Sequence, residues 1–171
     1  GAVLRDAGYD TCFVGKWGAN GSLTGDQPQP NDHGFDYWLA AQNNAIPSHL
    51  NPTSFVRNGV ECGEIKGYSA AIIVDEAIQW LERRPDPARP FCLFVWFQEP
   101  HRVIATPEEF TAPYRARFGD SKGDAADAAK GQKETPSLAE YLGNLSHIDH
   151  QVGRLMGALD RLGVGDDTFA V

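Results

Sequence analysis

Apolar residues along this chain keep two different spacings, and each change of spacing marks an element. From Ser69 to about Arg83, Ala70, Ile73, Val74, Ala77, Ile78 and Leu81 recur at three and four residues, which predicts an amphipathic helix. Ser69 is the expected cap, with Asp75 and Glu76 early and Arg83 and Arg84 late, as the helix dipole favours. Pro85, Pro87 and Pro90 then stop the helix and stiffen the connector. The next run, Phe91 to Phe97, shows no polar alternation. A strand with two apolar faces is expected in the middle of a parallel sheet covered by helices. The longest pattern spans about Pro136 to Leu162, with Leu138, Leu142, Leu145, Ile148, Val152, Leu155, Met156, Leu159 and Leu162 on one stripe. Pro136 fits its first turn and Gly163 its stop.

Weaker signals fill the remainder. Gly1 to Gly8 reads as the last turns of a helix, Thr11–Gly15 as a short strand, and Thr168–Val171 as a strand barely begun. Residues 18–67 and 98–135 are predicted to be mainly loops, with a mobile stretch at 119–131. Helix alternating with strand gives an α/β fold. Both ends look cut, so residues 1–171 are expected to be one incomplete domain, the middle portion of a longer catalytic domain.

Composition narrows the function. Hydrophobic residues make up 42% and charged residues 22%, so pervasive disorder is excluded. The net charge of −8, with no more than two Lys/Arg in a row, argues against a nucleic-acid partner. The apolar run at 91–97 is far too short to span a membrane. Three cysteines, Cys12, Cys62 and Cys92, form no CxxC pair, which argues against a disulfide framework or a zinc site. Cys12 and Cys92 read instead as small buried hydrophobes. His147 and His150 share the last helix without a nearby third ligand, so a solvated face is expected rather than a metal site. Asp149 should border the core.

In open α/β sheets, functional residues gather just past the carboxyl ends of strands. Lys16, within Gly15-Lys16-Trp17-Gly18-Ala19-Asn20-Gly21, is placed there. It can aim an ammonium at an anion with help from backbone N–H groups, or be a surface lysine in a tight turn. His101, in Gln98-Glu99-Pro100-His101, follows the 91–97 strand. It can donate a proton or hydrogen bond to a leaving oxygen, or be satisfied by a loop carbonyl. Asn43, Asn44, Ser48 and His49 form a dense polar set suited either to sugar hydroxyls or to ordinary turns. His33-Gly34-Phe35-Asp36 reads as a turn leading into an aromatic anchor.

Four stretches in this order resemble the sulfatase family of the alkaline-phosphatase superfamily. They are Leu4-Arg-Asp-Ala-Gly-Tyr9 with Thr11 and Val14-Gly-Lys-Trp17; His33-Gly-Phe-Asp36; Pro90-Phe91 with Pro100-His101; and Tyr141, Asp149, Val152-Gly153, Leu159 through Gly163 and Asp167-Thr168. The resemblance implies a mixed, mainly parallel sheet flanked by helices. It also implies hydrolysis of a sulfate ester, on a sulfated small molecule or polysaccharide. Lys16 matches the family lysine that binds a sulfate oxygen. His101 matches the histidine that contacts the sulfate or protonates the leaving oxygen. Asn20, Asn43, Asn44 and His49 are the expected substrate-binding residues.

The family's formylglycine nucleophile, made from a Cys in a C-x-P-S-R motif, and its calcium ligands have no counterpart here. Both are expected outside residues 1–171, and no metal ligand is assigned within them. Export to the periplasm or beyond the cell is a further family implication. Two positions depart from the pattern. Gly18 stands where the family usually has His, and Gln98 stands where many members have another. Those departures keep open a non-catalytic binding module, and the absent nucleophile keeps open a phosphodiesterase or phosphonate hydrolase of the same superfamily.

Overall fold

The computed structural model describes residues 1–19, 21–120 and 135–171. In chain order the elements are α1 (Ala2–Asp6), β1 (Asp10–Lys16), a 3-10 turn (Pro30–His33), β2 (Tyr37–Ala41), β3 (Phe55–Arg57), β4 (Val60–Glu61), α2 (Ser69–Glu82), β5 (Phe91–Trp96), α3 (Glu108–Phe118) and α4 (Leu138–Arg161). The strands form one sheet in the order β4-β3-β2-β1-β5. β1 pairs in parallel with both β2 and β5, whereas β2–β3 and β3–β4 are antiparallel. The sheet is therefore mixed, with parallel pairing confined to the half that carries Lys16.

Side chains alternate across β1 and so divide the core in two. Cys12 and Val14 join Leu39, Ala41, Phe55, Ile72, Ile73 and Ala77 on the face covered by α2, with Leu155 of α4 behind them. Phe13 points the other way, into Trp17, Leu23, Phe35, Trp38 and Val56. Phe35 anchors this second layer through ring contacts to Phe13 at 5.5 Å and Phe94 at 5.3 Å. Its neighbour Asp36 ties the turn to β1, accepting from the Thr11 hydroxyl at 3.0 Å. The 33–36 stretch is thus the turn and aromatic anchor expected of it.

Gly15 and Gly143 sit at close approaches that exclude a side chain. Gly15 lies at φ +114, and a Cβ there would stand 1.8 Å from the Trp96 carbonyl oxygen of β5. Gly143 lets α4 approach α3, since its Cβ would meet the Phe110 carbonyl oxygen at 2.8 Å.

Several expectations need correction. β5 is an edge strand among the described residues, half-buried from Phe91 to Val95 and exposed at Trp96. β1 is paired on both edges and buried along most of its length. Tyr68, not Ser69, occupies the N-cap of α2, because the Ser69 hydroxyl is engaged elsewhere. α4 begins at Leu138 after a Ser137–Glu140 capping box, so Pro136 precedes the helix rather than lying in its first turn. Residues 168–171 form no strand here. The supposed loops hold β2, β3, β4 and α3. His147 is buried, 3.0 Å from Gln151 Nε2, while His150 and Asp149 are exposed. Most of the 119–131 stretch lies outside the described residues.

Candidate active site

Because β1, β2 and β5 are parallel, their carboxyl ends share one edge. The register sets Lys16 opposite Ala41 and Gly15 opposite Trp96. Lys16 ends β1, Asn44 lies just past β2, and His101 lies just past β5. Their side chains meet. The Lys16 ammonium donates to Asn44 Oδ1 at 3.1 Å, and Asn44 Nδ2 lies 2.8 Å from His101 Nδ1. His101 is exposed, and Lys16 and Asn44 are half-buried, so the group faces solvent from a supported base. Beside it, Lys16, Trp17, Gly18, Ala19, Trp96 and Phe97 line an open cleft of about 570 Å³.

A buried ion pair holds the His101 loop. His49 Nε2 donates to the His101 carbonyl oxygen at 2.6 Å. Its Nδ1 stands 2.7 Å from the Ser69 hydroxyl and 3.3 Å from Glu99 Oε1. The Ser69 hydroxyl in turn donates to Glu99. Burial would depress the His49 imidazolium, but the Glu99 hydrogen bond and charge, with the His101 carbonyl, outweigh it and raise its pKa. Burial likewise pushes the Glu99 carboxyl up, and His49 and Ser69 more than reverse that, so its pKa is lowered. His49 is therefore a buried support beneath the site, its imidazolium form favoured by Glu99.

The structure thus sorts the expected site residues. Lys16, Asn44 and His101 come together. Asn43 is adjacent and exposed, its carbonyl accepting from Gln98 Nε2 at 3.4 Å. His49 is a correction: it is fully buried with both ring nitrogens occupied, so it does not face the cleft as a substrate-binding residue would. Asn20 lies outside the described residues. Gly18 sits at φ +62 with open space around it. Gln98 is buried, and its Oε1 has no hydrogen-bond partner. Sequence reasoning missed Glu99 and Ser69. The only signal was an acidic residue between an apolar strand and a Pro-His pair.

Among the described residues, no group of three or more His, Cys, Asp or Glu is placed to hold a metal ion.

The sulfatase family model matches residues 1–171, the whole chain. The chain belongs to the sulfatase family. It is 28% identical to the sulfatase YidJ of Escherichia coli K12 over 93% of its length, spanning 37% of that relative. Over 58% of its length it is 35% identical to the N-acetylglucosamine-6-O-sulfatase of Bacteroides thetaiotaomicron, spanning 16% of that protein. Among solved structures, the yidJ protein of Bacteroides fragilis superposes with a TM-score of 0.74 at 22% identity, over 96% of this chain and 40% of that one. The fold is therefore that of sulfatases. The chain spans at most about two-fifths of these relatives' lengths. None of its helices is long and apolar enough to cross a membrane, among the described residues.

Proposed function

We propose that this chain forms part of a sulfuric-ester hydrolase acting on a sulfated carbohydrate or similar sulfate ester, with Lys16 and His101 as catalytic residues. The observation that carries the reading is the convergence of Lys16, Asn44 and His101 at the carboxyl edge of the sheet. A sulfate monoester carries one negative charge, and cleavage of its S–O bond builds more on the leaving oxygen. Lys16 offers a fixed positive charge to a sulfate oxygen. His101 offers an N–H to the leaving oxygen from a loop clamped by His49. Asn43 is the exposed amide beside them that can meet substrate, while the Asn44 amide joins Lys16 to His101. The relatives' substrates support a saccharide: one is an N-acetylglucosamine-6-O-sulfatase and another is active on ulvan. By family resemblance, the formylglycine nucleophile and calcium come from residues outside these 171, and the complete protein is exported.

Gly18 and the buried Gln98 favour a second reading, a sulfatase-like module that binds sulfated saccharides without cleaving them. One experiment separates the two. The complete protein, with calcium, is incubated with sulfated saccharides and an aryl sulfate, and released sulfate is measured beside binding. Sulfate release that is lost in His101→Ala supports the hydrolase. Binding without release supports the module, and the absence of both release and binding rejects both readings.

A further inference from the structure

The contacts around Asn44 fix which nitrogen of His101 carries the proton. An ammonium can only donate, so the Asn44 atom 3.1 Å from Lys16 Nζ is the amide oxygen. The other atom of that amide is then the NH2 group, which can only donate. It stands 2.8 Å from His101 Nδ1. That nitrogen must accept, so in the neutral ring it is bare and the hydrogen sits on Nε2. The Arg102 carbonyl oxygen also lies 3.1 Å from Nδ1, and would favour the opposite tautomer. The Asn44 contact is shorter, and a charged group holds its direction.

We infer that Asn44 is a positioning residue that transmits the orientation of Lys16 to His101, locking the neutral imidazole as the Nε2–H tautomer. This deepens the hydrolase reading and rests on it for its catalytic meaning. The free edge of His101 then presents a donor, never a bare acceptor, to whatever anion Lys16 attracts. Both residues thus match a negatively charged oxygen, the lysine by charge and the histidine by a directed N–H. A neutral His101 in this state cannot act as a general base through Nε2, which excludes it from deprotonating a nucleophile there.

The test needs no turnover, so it stands apart from whether the complete protein cleaves sulfate esters. The chain is labelled with ¹⁵N-histidine, and the His101 ring nitrogens are assigned by NMR at alkaline pH with the ring neutral. The expected result is a bare Nδ1 and a protonated Nε2. Asn44→Asp keeps the size of the side chain but turns the group facing His101 into an acceptor, so the proton should move to Nδ1. Asn44→Leu should give a mixture of tautomers, as should Lys16→Met, which frees the amide to rotate. A protonated Nδ1 in the unaltered chain overturns the inference. So does a folded Asn44→Asp chain that keeps the original tautomer.

Discussion

His49 Nε2 donates to the carbonyl oxygen of His101 at 2.6 Å, from a ring that solvent does not reach. The candidate catalytic loop is thereby fastened to a buried charge pair, His49–Glu99. Removing one member leaves the other charge buried and uncompensated. His49→Leu is expected to cost about 3–5 kcal/mol of stability, read as a fall in Tm. The milder Glu99→Gln, which can still hydrogen-bond Ser69, should cost less. Equal losses for the two would show that packing, rather than charge, holds the loop.

The same pair predicts a pH profile. His49 has a raised pKa in the folded chain, so its contribution is full below the ordinary value of 6.5 and is lost as pH rises through the raised value. Glu99 has a lowered pKa, so its contribution is full above the ordinary 4.5 and is lost as pH falls through the lowered value. Burial first of all lowers the pKa of His147, which therefore stabilises above 6.5 and loses that stabilisation as pH falls through its lowered value. Urea unfolding across pH should show a decline on both sides. In His49→Gln the decline above 6.5 should shrink. An unaltered alkaline limb would remove His49 from the account.

Glycines 15 and 18 both have positive φ but predict different outcomes. Gly15→Ala would drive a methyl group against the Trp96 carbonyl at 1.8 Å, which β5 can relieve only by breaking register with β1. Loss of several kcal/mol is expected, beyond the about 1–2 kcal/mol of the left-handed backbone alone. Gly18→Ala meets nothing within 4 Å and should cost only that backbone term. Comparable Tm values for the two variants would refute the steric argument.

Much of this was legible in the sequence, and the misses have physical causes. The helices at 69–82 and 138–161 stand out because fourteen and twenty-four residues give several turns of apolar repeat. β3 and β4 have three and two residues, too few to show a period of two. α3 carries Pro113 and only one buried residue, Thr111, so it has no apolar stripe to read. In β5, a doubly apolar run suggests a central strand, but periodicity reports apolar faces and not which edges are paired. At the site, strand ends located Lys16 and His101. The depth of His49 was invisible, because nothing in a polar loop marks which of its polar residues turns inward. Its partner Glu99 lies fifty residues further along the chain, where no local pattern reaches.

Lys16→Ala tests the anion clamp directly. Lys16 is half-buried and its partner is a neutral amide, so the chain should keep its stability to within about 0.5 kcal/mol. In the complete protein, kcat/KM toward a sulfate ester should fall on the order of a hundredfold or more. An active enzyme with unchanged kinetics would return Lys16 to the role of a turn residue.

Gly18→His restores the residue that the sulfatase pattern usually carries two positions after the lysine. Gly18 lies in the left-handed region at φ +62, so any side chain costs about 1–2 kcal/mol there. No neighbouring atom obstructs the new Cβ, and the position borders the same cleft as Lys16 and Trp96. An imidazole placed there can add a donor to the anion site, a contribution on the order of a hundredfold in rate where such a group completes the chemistry. The expected outcome in the complete protein is a small fall in Tm together with faster sulfate release. A fall in Tm with no gain in rate would mean that the cleft works without a donor at this position, and that the glycine serves the turn alone. A large loss of stability would show instead that the loop after β1 cannot hold its conformation once a side chain is added, and the open space beside Gly18 would then have to close in solution.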